Sequence, residues 1–135
     1  MKDSIHKKIE DLKSDFTVLD NPMDKYEYII DLGKHKENVS QNIRKDDNLI
    51  KGCVSKAWMY FKSKDNPIKI ITDSDALIVQ GLLSILEKLI NDSNIDDIKK
   101  LDGSKILNDI GIGYSISSQR TNGFIGAINK IKMEL

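Results

Sequence analysis

Apolar residues at Ile5, Ile9, Leu12 and Phe16 recur at helical spacing, with lysines and acids between them, which predicts an amphipathic helix at the start of the chain. In "DNPMDKYEYIIDLGKH" Asn21 suits an N-cap, Pro22 the first helical position and Asp24 the first turn, and Gly33 stands where a helix normally stops. These signals predict a second helix over about 22–32. The following "KHKENVSQNIRKDDN" is polar and weakly patterned, and reads as a surface connection.

The period changes at Leu49. Through "LIKGCV" and "SKAWMYFKS" aliphatic and aromatic residues dominate, and Ala57, Met59 and Phe61 alternate with Lys56, Trp58, Tyr60 and Lys62. "KDNP" is a turn signal and "IKIIT" a second strand-like run, so residues 54–72 are predicted to form an antiparallel hairpin, with "NLIKG" as a short edge strand beside it. Ser74 then suits an N-cap, with Asp75 in the first turn, for "DALIVQGLLSILEKLI". That helix is apolar almost all the way round and is expected to be the most buried, packed across the sheet. Two short helical patterns, "NIDDIKKL" and "SKILNDI", end at Gly103 and Gly111. A last helix over about 118–133 carries Phe124, Ile125, Ile128 and Ile131 inward. Helices, a small antiparallel sheet and helices again predict an α+β two-layer fold, and 135 residues suit a single domain over 1–135.

Charge narrows the functional classes. Twenty-one basic residues balance 21 acidic ones with no like-charge block, which argues against a nucleic-acid partner and against polybasic membrane binding. "MKDSIHKKIEDLK" has no continuous apolar stretch of the secretory kind, and no later run approaches a membrane span, so a cytoplasmic location is expected. The single cysteine, Cys53, cannot form an internal disulfide.

Cys53 is thus either an inert small core residue or a reactive thiol. It follows Gly52, whose missing side chain permits a sharp turn, and lies between Lys51 and Lys56, whose charges favour the thiolate. A cysteine hydrolase would need a histidine held against the thiol, but His6 and His35 both lie in highly charged segments, and no hydrolase signature surrounds Cys53. One cysteine and two scattered histidines do not make a zinc or iron–sulfur ligand set, and no cofactor is expected. "GIGY" at 111–114 follows a helical pattern, lacks the spacing of a phosphate loop, and reads as a turn. Arg120, near the start of the last helix, opposes the helix dipole and suggests an anionic partner, while Trp58 is expected to pack on the sheet or at its edge.

"KYEYIIDLGK", "NLIKGCVSKAW", "DSDALIVQGLL" and "QRTNGFIGAINKI", in this order and at these separations, resemble the SufE family, the sulfur acceptors of iron–sulfur cluster assembly. The combination of "GC.S..W" with "DSDA.IV.GL" carries the resemblance. Two segments depart from the family pattern: residues 34–47 lack a Leu-Pro segment, and Asn-Pro-Met precedes the second helix where tryptophan is frequent. The resemblance implies a fold shared with NifU-like scaffolds, with a three-stranded antiparallel sheet packed by helices. It also implies that Cys53 receives sulfane sulfur as a persulfide from a cysteine desulfurase of the SufS or CsdA type, activates that enzyme, and supplies a SufBCD-type scaffold. Gly52, Ser55, Asp75 and Arg120 match patterned positions that would support the cysteine loop or a partner surface, and a homodimer is left open. Thiol exchange of this kind calls for a cysteine on a turn that can reach outward and then fold back to shield its persulfide. Two other classes compete: a cluster scaffold, which would need more cysteines, and a noncatalytic interaction module with an inert buried cysteine.

Overall fold

Both ends of the chain fold as helices and its alternating middle as a hairpin in the computed structural model, which describes residues 5–34, 41–51, 55–65, 67–113 and 115–135. In order these are α1 (Ile5–Thr17), α2 (Pro22–Lys34), short 3₁₀ turns at Gln41–Ile43 and Asp46–Asn48, β1 (Ala57–Ser63), β2 (Lys69–Ser74), α3 (Leu77–Ile90), α4 (Ile95–Lys99), α5 (Gly103–Ile110) and α6 (Ser118–Glu134). The predicted α+β class holds. No helix among the described residues is long and apolar enough to cross a membrane.

The helix starts follow the local chemistry. Asn21 accepts from the Asp24 amide at 2.9 Å and donates to the Asp24 carboxylate at 3.0 Å, while Asn94, Asp102 and Ser117 each accept amide hydrogens at the starts of α4, α5 and α6. Gly111 ends α5 with φ of 89°, a conformation in which a side chain would be strained. Gly103, expected to end α4, is instead the first residue of α5, tucked against Ile125 and Ile128 of α6.

Helix α3 is the centre of the core: ten of its 14 residues are buried, and it packs on α2, β2, α1 and α6. Its crossing with α2 explains why Gly33 does not stop that helix at 32. A Cβ on Gly33 would lie 2.8 Å from the Gly81 amide nitrogen, and a Cβ on Gly81 would overlap the Ile29 carbonyl, so the two backbones meet through paired glycines. Phe16 of α1 closes this side edge-on against Tyr28, ring centres 5.1 Å apart, and burial pushes the Tyr28 hydroxyl pKa upward, with the charge of Asp15 adding to the shift.

In the hairpin, Ala57 pairs with Ser74, Trp58 with Asp73, Met59 with Thr72 and Tyr60 with Ile71. Ala57, Met59, Ile70, Thr72 and Ser74 are buried on one face, while Tyr60 on the other is exposed. Among the described residues the sheet has two strands, not the three expected: "NLIKG" contributes one antiparallel bridge, Leu49 to Trp58, and the Ile50 amide donates to the Ala57 carbonyl at 2.9 Å. The chain reaches that edge directly from a 3₁₀ turn, leaving no length for a longer ladder. The opposite edge is shut by α3. The Ile70 amide donates to Asn91 Oδ1 at 2.8 Å, Asn91 Nδ2 donates to the Ile70 carbonyl at 3.3 Å, and the Thr72 amide donates to Glu87 Oε1 at 2.8 Å.

Gly81→Ala should destabilise the fold by about 3 kcal/mol, because the backbone carbonyl of Ile29 stands in the way of the added methyl; a lower urea midpoint with an unchanged slope would register it. Asn91→Ala strips both groups of Ile70 of their partner and should cost about 2 kcal/mol, with faster hydrogen exchange at the Ile70 amide.

Candidate functional site

Cys53 and Gly52, the centre of the reading from sequence, lie outside the described residues, but both flanks of their segment are described. Leu49 and Ile50 on the entering arm bond to Trp58 and Ala57 on the leaving arm, which closes a neck around residues 51–56. Ser55 is half-buried at the start of the leaving arm, and Lys51 and Lys56 are exposed. Cys53 is two peptide units from Lys51 and two from Ser55.

The end of β2 fastens the leaving arm. The Lys56 carbonyl accepts from Ser74 Oγ at 2.8 Å and from the Asp75 amide at 3.2 Å, and Ser74 Oγ accepts in turn from the Ala76 amide at 3.1 Å. Ser74, expected as the N-cap of α3, is therefore the last residue of β2 and a tie to the neck; α3 starts later, at Leu77, with Ala76 in the cap position. Asp75 lies outside the helix, exposed beside this tie.

Helix α6 supports the entering arm. A Cβ on Gly126 would lie 2.5 Å from the Lys51 carbonyl oxygen, so only glycine lets the helix backbone touch the arm here. Beneath the neck is a cavity of about 10 Å³, room for one water molecule, lined by Ile50 and Ala57 of the arms, Val79, Leu82 and Leu83 of α3, and Arg120, Gly123 and Phe124 of α6. Arg120 Nε is buried and has no hydrogen-bond partner among the described residues. The anionic partner expected for Arg120 is therefore absent from the described residues, and an unmatched guanidinium donor faces the underside of the neck.

A second arginine escaped the reading of 34–47 as plain surface connection. Arg44 Nε donates to Asp73 Oδ2 at 2.7 Å, and its guanidinium carbon stands 4.7 Å over the centre of the Trp58 ring. Asp73 Oδ1 accepts from Gln80 Nε2 at 3.2 Å and from the Ser74 amide at 2.9 Å. The hydrogen bond to Asp73 raises the Arg44 pKa, burial opposes it, and the charges of Asp73 and Asp75 add to the rise. Composition held a signal for this pair: the chain has only two arginines among 21 basic residues, Arg44 and Arg120, and both border the neck. Trp58 is buried at the sheet edge, as expected. His6 lies exposed on a separate open groove of about 350 Å³ between α1 and the α4–α5 segment, none of whose lining residues borders the neck; His35 is outside the described residues.

This arrangement, two fixed arms on either side of the segment that carries the lone cysteine, with Arg120 lining the cavity beneath them, fits what the chain is similar to. Residues 10–135 match the SufE family, described as an Fe-S metabolism associated domain. The chain is 33% identical over 130 residues to an uncharacterised SufE-like protein of Rhizobium etli, covering 93% of this chain and 88% of that protein. It is 32% identical over 130 residues to a SufE-like protein of Rhizobium meliloti, covering 93% of each. It is also 33% identical over 125 residues to the cysteine desulfuration protein SufE of Wigglesworthia glossinidia brevipalpis, covering 92% of this chain and 85% of that one. The chain belongs to the SufE family.

Proposed function

We propose that this protein accepts sulfane sulfur on Cys53 from a cysteine desulfurase of the SufS or CsdA type, stimulates that enzyme, and delivers the sulfur to a SufBCD-type scaffold for iron–sulfur cluster assembly in the cytoplasm. The observation that carries the reading is the neck: the only cysteine of a SufE-family chain sits in a short segment whose two arms are fixed by β2 and α6. Two peptide units span at most about 7 Å, so the chain length alone keeps Cys53 close to the fixed arms.

The chemistry needs one nucleophilic sulfur. The Cys53 thiolate attacks the terminal sulfur of the donor's persulfide, a new sulfur–sulfur bond forms as the old one breaks, and the donor cysteine leaves as a thiolate that takes up a proton. No net oxidation or reduction occurs. In this reading Arg120, which lines the cavity under the neck with its Nε buried and unpaired among the described residues, favours the anionic form of the Cys53 thiol or persulfide and offers Nε as a hydrogen-bond donor. Ser55 and Asp75 belong to the frame: Ser55 opens the leaving arm, and the Asp75 amide holds it through Lys56.

Incubated with a desulfurase and free cysteine, the protein should gain the mass of one sulfur atom, removable by reductant, and the Cys53→Ser variant should gain none and lose stimulation of the desulfurase. Stimulation retained in that variant would instead identify a noncatalytic interaction module. If Arg120 supports the anionic sulfur, Arg120→Gln should slow alkylation of Cys53 at neutral pH, with the thermal midpoint recorded alongside to confirm folding.

A further inference from the structure

Arg44 joins three segments that meet at the neck. The residue itself lies between the two 3₁₀ turns that lead into the entering arm, the indole it covers is Trp58 on the leaving arm, and the carboxylate it binds is Asp73 near the end of β2. Asp73 is not a loose counter-ion. Its side chain is only 13% exposed, and its second oxygen is held by Gln80 of α3 and by the Ser74 amide. Gln80 Nε2 also donates to the Ser74 carbonyl at 2.7 Å, and Ser74 Oγ binds the Lys56 carbonyl, so one continuous network runs from the guanidinium to the leaving arm. The outer face of the hairpin at Trp58 lies away from the main hydrophobic cluster, and Arg44 is what covers that ring.

We infer that Arg44 is a positioning residue for Cys53: with Asp73 and Trp58 it forms a clasp between the chain entering the neck and the arm leaving it, holding the neck at the width from which the thiol is presented. The inference rests on Cys53 being the sulfur acceptor. A guanidinium suits the task where an ammonium would not, because its plane can lie on the indole while its fork binds a carboxylate at the edge. The choice of arginine at this position, in a chain whose other basic residues are lysines apart from Arg120, fits that geometric demand. A fixed neck limits the geometries the thiol samples, which favours attack on a donor held in another protein's site.

The clasp has its own optical probe, since Trp58 is the only tryptophan. In the full chain without desulfurase, Arg44→Lys should shift Trp58 emission to the red and raise its acrylamide quenching about twofold, while alkylation of Cys53 by iodoacetamide speeds up at least threefold. With desulfurase, the maximal rate of sulfur transfer should fall several-fold at an unchanged half-saturating concentration. Asp73→Asn, which keeps side-chain shape, should do the same, and the double variant should differ little from either single one because both break one clasp. Altered Trp58 emission with unchanged alkylation and unchanged maximal rate would overturn the inference, leaving Arg44 as packing for the ring; so would a loss of thermal stability alone. If the wild-type protein gains no sulfur while alkylation still responds to Arg44→Lys, the clasp stands and the acceptor reading falls.

Discussion

A two-stranded hairpin has two outer edges of unpaired amide and carbonyl groups, and by itself it is marginal in water. Everything around this hairpin answers that demand. On the β2 side, Asn91 and Glu87 of α3 supply side-chain oxygens where a third strand would supply carbonyls, so the helix both covers the sheet and completes its ladder. This sets how close α3 must lie, and the glycine crossing at Gly33 and Gly81 then brings α2 in behind it. The buried interior is organised around the helix that closes the edge.

On the β1 side the edge is closed by the chain that carries the cysteine. The arms around residues 51–56 are held because the hairpin needs their backbone groups, through Leu49, Ile50, Ala57 and Trp58. The edge that the hairpin must close and the chain's one cysteine therefore fall on the same short segment. Polar contacts above it, from Arg44 and Asp73, and a cation below it, Arg120, place both arginines of the chain on opposite sides of the same neck.

Much of this was legible in the sequence, for local reasons. The helical periods, the caps at Asn21 and the αL stop at Gly111 depend on neighbours within a few residues, and the ordered motifs around Cys53 identified the family. What escaped depends on partners distant in sequence. Gly33 carries the same signature whether it ends a helix or admits a second backbone, and only the presence of Gly81 decides between them. Ser74 can cap a helix or end a strand, and the distant Lys56 carbonyl determines which. Arg44 sits in a segment without periodicity, so its role appears only once Asp73, 29 positions away, is brought beside it.

The contact between Gly126 and the Lys51 carbonyl has a consequence for how the cysteine-bearing segment can be used. The frame of the cysteine is assembled from residues spread along the chain, from Arg44 to Gly126, and none of the supports contributed by β2, α3 or α6 is present in the short motif itself. A peptide bearing "NLIKGCVSKAW", or the same stretch grafted onto another hairpin, would carry the thiol without its setting. The setting of this cysteine is a property of the folded domain, complete only with its last helix in place, and it is not portable as a motif.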